Sequence, residues 1–385
     1  MQSLGNIDNT GVAGLTMFSW TTGDVLYLTG EAKTLIGPPA RDLMPRQNVV
    51  TTVRITGFSF VRDALPFGQA PGTELERSPY SPPIRKLREE SSNDAFAEDT
   101  FVRLSKVVMH SNTLATMDFE IVGDKAEPLK IIPGQAAVLD FNKMLGAARY
   151  PLMASAAPSS LNDDRVRTWT ISSPHNPTER YRNFQITMRE KEGGYVTSAL
   201  FNLTRRMRAE NPEILLDCKS QNYEIGVVGV AGDFILPKTE GPLKALWIAG
   251  GIGTTPFIAF LGNLAKRPVV DVDAVLALST REPEIIVPLI KAALGDGPLP
   301  AGLRLRFDIF TREPAPSAKL FDVYGDQVKV RVNGGRIADS YWVDVESAQR
   351  VVWLCGPVPF EEACIKGLEK TGVEAASIYR EGFQY

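Results

Sequence analysis

Histidine, cysteine and long apolar runs are scarce in this chain of 385 residues. It has 2 histidines, His110 and His175, and 3 scattered cysteines. These numbers exclude a histidine-rich metal site, a haem held between two histidines, a disulfide framework and a plant-type iron–sulfur cluster. The serine-hydrolase elbow and the P-loop pattern are missing as well. The sequence therefore predicts no metal site and little hydrolytic chemistry.

An excess of charge of either sign is also missing. Lys and Arg number 42 against 45 Asp and Glu, which leaves a net charge of −3. No basic run could follow a phosphate backbone, so nucleic acid is not an expected partner. The apolar stretch 243–265 is broken by Gly, Thr and Pro at 250–256, which indicates a strand, a turn and a helix and no membrane span. Because the chain opens without a basic segment followed by an apolar one, we expect a cytoplasmic protein.

The composition that is present, 44% hydrophobic and 23% charged, is typical of globular chains, and the length predicts two or three domains. Residues 11–65 alternate apolar and polar positions and predict a small β segment, which we bound at 1–65. Residues 66–100 are rich in Pro, Ser and charge and predict a linker. Short β runs and one helical stretch over 101–240 predict an antiparallel β-barrel, and strand–helix alternation over 241–385 predicts a parallel α/β domain.

Two strand ends in the second half of the chain have glycine turns. In LWIAGGIGTTPFIAFL, Gly251 and Gly253 would let the backbone approach a ligand, and a helix begins near Pro256 with free N–H groups. In VVWLCGPVPF, Cys355 and Gly356 follow a buried strand, at the edge where open parallel sheets bind ligands. The two ends would face one crevice. Glycine in such turns also has purely steric uses, and Cys355 could simply be a small packing residue.

The predicted barrel has two polar patterns of its own. In RTWTISS, period-two alternation places Arg167 and Trp169 on one face, where they could hold a phosphate and stack on a flat ring. Further on, GGYVTSAL opens a helix with glycines, hydroxyls and free N–H groups that suit a second phosphate. A pyrophosphate would fit between them. An ordinary half-exposed strand with a surface arginine is the alternative.

Six runs in this order, RTWTISS, GGYVTSAL, AGDFILP, IAGGIGTTP, LCGPVPF and REGFQY, resemble the ferredoxin-NADP reductase-like family over residues 101–385. The resemblance implies a β-barrel that binds FAD beside an α/β domain that binds NAD(P)H. For FAD it implies Arg167, Trp169 (in place of the usual tyrosine), Thr170, Ser172, Gly194, Val196, Thr197 and Ser198. For the nicotinamide nucleotide it implies Gly250, Gly251, Gly253, Thr254, Thr255, Pro256, Gly356 and Pro357.

The same resemblance implies a transfer site with Cys355, Glu381 and Phe383, where the aromatic ring shields the flavin and Tyr385 is a competing candidate for that shield. The pair Thr311-Arg312 is similar to the Ser-Arg pair that grips a 2′-phosphate, and Arg281 offers a second cation. We therefore expect NADPH as the preferred reductant, with NADH as the alternative.

The N-terminal run NTGVAGLTMFSWTTGDVLYLTGEAKTLIG is similar to the later strands of the split β-barrel in pyridoxamine phosphate oxidase-related flavoproteins. The earlier strands, which hold much of that family's FMN phosphate site, are missing, so an FMN site is not expected here. Such a partial barrel would dock on the reductase body or pair with a second copy as a homodimer.

The sequence thus predicts an FAD-dependent NAD(P)H oxidoreductase that passes hydride from NADPH to FAD N5 and then electrons to an unidentified acceptor, a small molecule or a redox protein. Two alternatives stay open. One is a non-catalytic flavin- or nucleotide-binding module that responds to redox state, and the other is a split-barrel-type FMN reductase. The insertion 145–162 would be a lid or a spacer.

Overall fold

The computed structural model describes residues 2–45, 47–69, 87–90, 100–123, 126–146, 163–236, 241–316 and 318–381. The chain divides into two units, Met1–Glu98 with Arg149–Asp164 and Asp99–Ala148 with Arg165–Tyr385. Most of the predicted linker 66–100 and of the insertion 145–162 lies outside the described residues, as do Phe383 and Tyr385. The domain boundaries at 65, 100 and 240 stay predictions.

The first unit contains a three-stranded antiparallel sheet in the order β1-β2-β3. Its elements are α1 (Gln2–Thr10), β1 (Val12–Phe18), β2 (Val25–Ile36), α2 (Pro38–Leu43) and β3 (Val49–Val61). The turn between β1 and β2 needs glycine at position 23. Gly23 has a φ of +73°, and a Cβ at this position would lie only 2.6 Å from the carbonyl oxygen of Phe67. The predicted N-terminal β segment is confirmed.

The second unit begins with a six-stranded antiparallel sheet in the order β10-β5-β4-β11-β7-β8. Its elements are β4 (Phe101–Met109), β5 (Leu114–Ile121), β6 (Leu129–Lys130), β7 (Ala136–Asp140), α3 (Asn142–Leu145), β8 (Val166–Thr170), β9 (Arg180–Tyr181), β10 (Asn183–Arg189), α4 (Tyr195–Glu210) and β11 (Glu224–Ala231). Just after β8, the Ser172 N–H donates to the Gln185 carbonyl of β10 at 2.8 Å. This hydrogen bond brings the two outermost strands together, as closing a barrel requires.

A six-stranded parallel sheet in the order β15-β14-β13-β12-β16-β17 follows. Its elements are β12 (Leu243–Gly250), α5 (Thr255–Ala265), β13 (Val269–Ser279), α6 (Pro283–Leu294), β14 (Ala301–Thr311), β15 (Val328–Gly334), α7 (Asp339–Asp344), β16 (Val351–Cys355), α8 (Val358–Glu369) and β17 (Tyr379–Arg380). β12 lies between β13 and β16, so the strand order reverses beside it. Ligands of open α/β sheets bind at the carboxyl ends of strands at such a switch point.

Within the second unit, the antiparallel and parallel parts pack on each other through buried rings. Phe234, just after β11, lies 5.7 Å from the Phe257 ring and 6.0 Å from the Phe260 ring, both on α5. The Asn263 amide donates to the His175 carbonyl at 2.7 Å. Arg189 of β10 and Glu282, beside α6, form an ion pair. These contacts fix the barrel against α5 and the start of α6.

The predicted fold class, an antiparallel barrel followed by a parallel α/β sheet with a small N-terminal β segment, is confirmed. None of the helices in the described ranges has both the length and the apolar composition needed to cross a bilayer. Those ranges also contain no group of three or more His, Cys, Asp or Glu side chains placed to hold a metal ion.

Candidate functional site

The carboxyl ends of β12 and β16 lie side by side, with Ala249 paired to Cys355. A Cβ on Gly253 would lie 2.7 Å from the carbonyl carbon of Cys355 and 3.0 Å from the Gly356 Cα. A Cβ on Gly250 or on Gly356 would lie 2.7 Å or 2.6 Å from the Phe360 ring. The structure thus brings the two predicted glycine turns together, and three of their glycines are needed for that approach.

The open part of the first turn is Gly251. Its φ is +54°, which favours glycine, and a Cβ there would meet nothing within 4 Å. The following threonines and proline of the predicted nucleotide loop (Thr254, Thr255 and Pro256) are buried. Thr254 Oγ1 donates back to the Gly251 carbonyl at 2.7 Å. Gly251 and the half-buried Ile252 are therefore the positions of this loop that a ligand could reach.

Cys355 is 1% exposed at the end of β16. Burial raises the pKa of its thiol well above the ordinary value, and the nearby carboxylates of Glu381 and Glu361 add to the shift. Cysteine attacks as a thiolate, so a thiol that stays protonated at neutral pH does not serve as a nucleophile. Of the two interpretations of Cys355, these properties favour a packing residue at the site.

Glu381, the residue after β17, reaches the barrel. Its Oε2 accepts a hydrogen bond from Thr170 Oγ1 at the end of β8, at 3.0 Å. Burial raises the Glu381 pKa to about 7, and the hydrogen bond from Thr170 opposes that rise. Because β17 pairs in parallel with β16 up to Leu354–Arg380, Glu381 follows beside Cys355, and the ends of β8 and β16 meet at this residue.

A second carboxyl group at this place, Glu361, does not belong to any of the predicted motifs. It lies in the first turn of α8, and its Oε1 accepts a hydrogen bond from the Gly356 N–H at 3.2 Å. Burial raises its pKa, while this hydrogen bond and the charge of Arg380 lower it. Glu361 therefore fixes the backbone at the end of β16. A glutamate five residues after the glycine of a strand end, in the first turn of a helix, is the signal that points to it.

A cleft of about 370 Å³ opens beside Glu381 and is lined by Gly232, Asp233, Phe234, Ile378, Tyr379, Arg380 and Glu381. The run AGDFILP forms one wall, and β17 with its neighbours forms the other. The Tyr379 ring stacks on Trp353 of β16, with 5.0 Å between the ring centroids and 14° between the planes. Exposed Asp233 and Arg380 place one charge of each sign at the cleft. The cleft has room for a flat ring or part of a small molecule.

The RTWTISS residues do not all point to one site. Arg167 is half-buried and donates from Nη1 to the Val166 carbonyl at 2.9 Å. Trp169 is only 7% exposed, and its indole packs edge-on against Phe141 with 5.5 Å between the ring centroids. The Ser172 hydroxyl is buried and lies 2.9 Å from Thr187 Oγ1, between strands of the barrel. Thr170 is the member of this run that meets the strand ends of the parallel sheet.

The start of α4 has the open glycine that the second barrel pattern predicts. Gly193 has a φ of +70° and nothing within 4 Å of a Cβ, and Gly194 is the N-cap residue. Thr197 turns its hydroxyl back to accept from the Lys191 N–H at 3.1 Å, and Val196 is buried, while Ser198 is half-buried. The N-terminal turn of a helix, with its unpaired N–H groups, suits a phosphate.

A buried cation, Arg165, lies at the same helix start. Its guanidinium carbon is 5.3 Å from the centre of the Tyr195 ring, and Tyr195 is the first residue of α4. Its backbone φ of +57° is rare for a residue other than glycine. The RTWTISS motif begins at Arg167, so it points to that arginine and not to Arg165. The signal was present, because period-two alternation in R-V-R predicts both arginines on one face.

Two further cations follow neighbouring parallel strands within a repeated T-R-E-P sequence. Thr280 and Thr311 are buried, and each accepts on its hydroxyl from the N–H of the glutamate two residues on, at 3.0 Å and 3.1 Å. Arg281 and Arg312 are exposed. Because the carboxyl ends of parallel strands lie at one edge of the sheet, both arginines lie at the edge that has the glycine turns.

No protein-family model matches the sequence, and no curated protein matches it. Among solved structures, the chain is similar to the flavohem-like FAD/NAD binding domain of nitric oxide dioxygenase from Vibrio cholerae, at 18% identity over 74% of this chain and 99% of that chain, with a TM-score of 0.45. It is similar at 15% identity to a ferredoxin NADP+ reductase from Neisseria gonorrhoeae with bound FAD and NADP, over 74% and 98% of the two chains, with a TM-score of 0.45. It is also similar to the cytochrome b5 reductase domain of nitrate reductase from Ulva prolifera, at 17% identity over 75% and 100% of the chains, again with a TM-score of 0.45. At these identities the likeness concerns the fold alone.

Proposed function

We propose that this chain is an FAD-dependent NAD(P)H oxidoreductase that takes hydride from NADPH and passes electrons to an external acceptor. The observation that carries the proposal is the meeting of Thr170, Glu381 and Cys355. Thr170 ends a barrel strand and donates to the carboxyl group of Glu381. Glu381 directly follows β17, which pairs in parallel with β16 up to Leu354–Arg380, so Glu381 comes next to the end of β16 at Cys355. A transfer between two bound cofactors needs such a place, because each part of the second unit must present its ligand to the other.

The chain's own residues fit the FAD phosphates at the start of α4. Gly193 leaves open space at a helix N-terminus, and the buried guanidinium of Arg165 lies beside the first residue of that helix. Arg167, half-buried in β8 two residues further along the chain, would add a second cation. Helix N–H groups and guanidinium groups are both strong donors to phosphate oxygens. Gly194, Thr197 and Ser198 would shape this end of the FAD site.

The switch point of the parallel sheet fits NADPH. Gly251 offers backbone that a nucleotide can approach closely, and Gly356 with the exposed Pro357 forms the other side of the crevice. Arg281 and Arg312 would grip the 2′-phosphate, since they are exposed at the same edge of the sheet. Gly250 and Gly253 would act indirectly, by allowing β12 and β16 to approach.

When bound, FAD supplies the redox chemistry by accepting hydride from C4 of NADPH at N5 and releasing electrons to the acceptor. The protein's part is geometric and electrostatic. Glu381 can hold or release a proton near neutral pH, because burial raises its pKa to about 7. Thr170 fixes the direction of that carboxyl group through the 3.0 Å hydrogen bond. The acceptor stays unidentified, and a small molecule or a redox protein would each meet these requirements.

The experiment is an anaerobic titration of the FAD-loaded full chain with NADPH and then with NADH, followed by the visible absorption of the flavin. We expect fast bleaching by NADPH and slow bleaching by NADH. A yellow protein that neither nucleotide bleaches would support a non-catalytic flavin-binding module instead. A chain that retains FMN and not FAD would point to the split-barrel-type reductase.

A pair of variants tests the observation on which the proposal depends. Thr170→Val keeps the shape of the side chain and removes the hydrogen bond to Glu381, so we expect about tenfold slower bleaching by NADPH, the loss that about 1.4 kcal/mol of orientation would produce. Thr168→Val is the control, because Thr168 lies on the same strand and is exposed. Equal rates for both variants and the unchanged chain would show that the Thr170–Glu381 contact has no part in the transfer.

A further inference from the structure

One face of the three-stranded sheet in the first unit is apolar and exposed. Register places Leu15 opposite Leu28 and Leu28 opposite Phe58, and places Met17 opposite Leu26 and Leu26 opposite Phe60. Directly paired residues of an antiparallel sheet share a face. We define the apolar face by six of its exposed large side chains, which run from 38% exposed for Leu15 to 74% for Phe58. They are Leu15, Met17, Ile36, Ile55, Phe58 and Phe60.

The charges of these strands lie on the opposite face. Glu31 is paired with Arg54 across β2 and β3, and their side chains form an ion pair of 2.6 Å in solvent. Lys33, two residues further along β2, lies on that same side. The paired rows that form the apolar face contain no charged residue. The charged face also has exposed apolar side chains, those of Val12, Phe18, Tyr27 and Val61. The sheet is therefore amphipathic in its charges, and the face without charge is the one better suited to burial.

We propose that the apolar face is a self-association surface, on which a second copy of this chain packs sheet against sheet around a two-fold axis. A face without charge meets its own copy without burying an unpaired charge, whereas the surface of an unrelated protein would have to be equally free of charge. In a two-fold dimer the same patch occurs on both partners, which an amphipathic sheet provides.

The exposed apolar area is large enough for a second copy of the chain to pack on this face. Six large apolar side chains that are about half exposed present on the order of 600 Å², at the upper limit for the largest apolar patch of a typical monomer. Two such faces would bury about 1,200 Å² together, which passes the roughly 1,000 Å² expected of a specific interface. The two sheets would then form a sandwich with side chains from both inner faces between them.

The first experiment is sedimentation of the full chain and of two arginine variants in the same strand. Phe58→Arg puts a charge on the apolar face of each copy, so we expect the dimer dissociation constant to rise at least about 100-fold. Ser59→Arg is the matched control, because Ser59 points to the opposite face, and it should stay dimeric. A monomeric unchanged chain at micromolar concentration, or equal weakening by both variants, would overturn the proposal.

A second measurement keeps the test decisive if Phe58→Arg does not fold. The natural cysteines are buried, so a new cysteine on the sheet would be the thiol that reacts. We expect maleimide to label Ile55→Cys more slowly as the protein concentration rises, and to label Thr52→Cys, on the charged face, at a constant rate. Free labelling of Ile55→Cys at every concentration would overturn the proposal. Protection that does not change with concentration would also overturn it, because the cover would then belong to the same chain.

Discussion

The glycines at the two predicted nucleotide turns differ in what surrounds them. At the β12–α5 turn, Gly250 and Gly253 press against the protein itself, the first on Phe360 and the second on Cys355. Before α4, Gly193 has open space around it and a positive φ. The same residue type therefore serves close packing of strands at Gly250 and Gly253 and backbone conformation at Gly193, as it also does at Gly251 within the first turn. A glycine pattern alone does not tell which role a position has.

The largest expected effect separates these two roles directly. Gly253→Ala would push a methyl group into backbone atoms of Cys355 that cannot move aside, so we expect a loss of about 3 kcal/mol or more in the free energy of unfolding. Gly193→Ala should lower the free energy of unfolding by only about 1 kcal/mol, because the alanine would have to adopt the positive φ but would meet no neighbouring atoms. Urea unfolding of both variants measures the difference. Equal losses of unfolding free energy in the two variants would mean that Gly253 and Gly193 do not have different roles.

The next effect concerns Glu381, which follows β17 of the parallel sheet and accepts a hydrogen bond from Thr170 of the barrel. Its raised pKa means that the folded chain holds a proton that the unfolded chain releases, so this group lowers stability as pH rises from about 4.5 to about 7. Glu381→Gln removes that loss. We expect the variant to gain about 3 kcal/mol relative to the unchanged chain between pH 4 and pH 8. A variant whose stability difference does not change with pH would contradict the buried-carboxyl interpretation, and Glu369→Gln at an exposed position is the control.

A third prediction sharpens the contrast at the edge of the parallel sheet. Arg312→Ala should raise the dissociation constant for NADPH about tenfold and leave that for NADH unchanged, since only NADPH has the 2′-phosphate. Arg304 lies near the other end of β14 and is exposed, so Arg304→Ala should change neither constant. Calorimetric titration gives both values. If the variant binds both NADH and NADPH more weakly by the same factor, Arg312 would have a general structural role and no part in cofactor choice.

The smallest effect is expected at Cys355. Because its thiol is buried and its pKa is well above the ordinary value, native protein should not react there with iodoacetamide. Cys355→Ala should keep the rate of flavin reduction within about threefold, a difference well below 1 kcal/mol. Mass spectrometry of the alkylated chain and the stopped-flow rate test the two statements. Rapid modification that abolishes reduction would restore a chemical role for this thiol.

The fold could be predicted from the sequence because burial follows periodicity in both sheets. Alternate residues of β5 are buried almost without exception, and β12 is buried at every position but Lys244. These are the patterns of a one-sided antiparallel strand and of a parallel strand covered on both faces. The sequence motifs also predict both glycine turns at strand ends, and the structure has them at the ends of β12 and β16.

The contacts inside the candidate site could not be predicted in the same way. Trp169 fits a flat ring by type, yet it packs on Phe141, because Phe141 directly follows β7 and β7 pairs with β8. Arg165 and Glu361 each have a local sequence signal, but their contacts with the start of α4 and the end of β16 are tertiary, and the local signals do not give those contacts. The assigned roles of all these residues stay predictions until a ligand is bound.

The hydrogen bond from Thr170 to Glu381 joins residues 211 positions apart. An unfolded chain would lose much entropy in closing a loop of that size for one bond, so the contact cannot nucleate folding. The entropy cost of this contact becomes small only after the barrel and the parallel sheet have formed, because their formation shortens the loop that remains to be closed. The junction that we propose for chemistry is therefore among the last parts of the second unit to form. Flavin reduction would then report that both halves of that unit have folded, which binding to either half alone does not report.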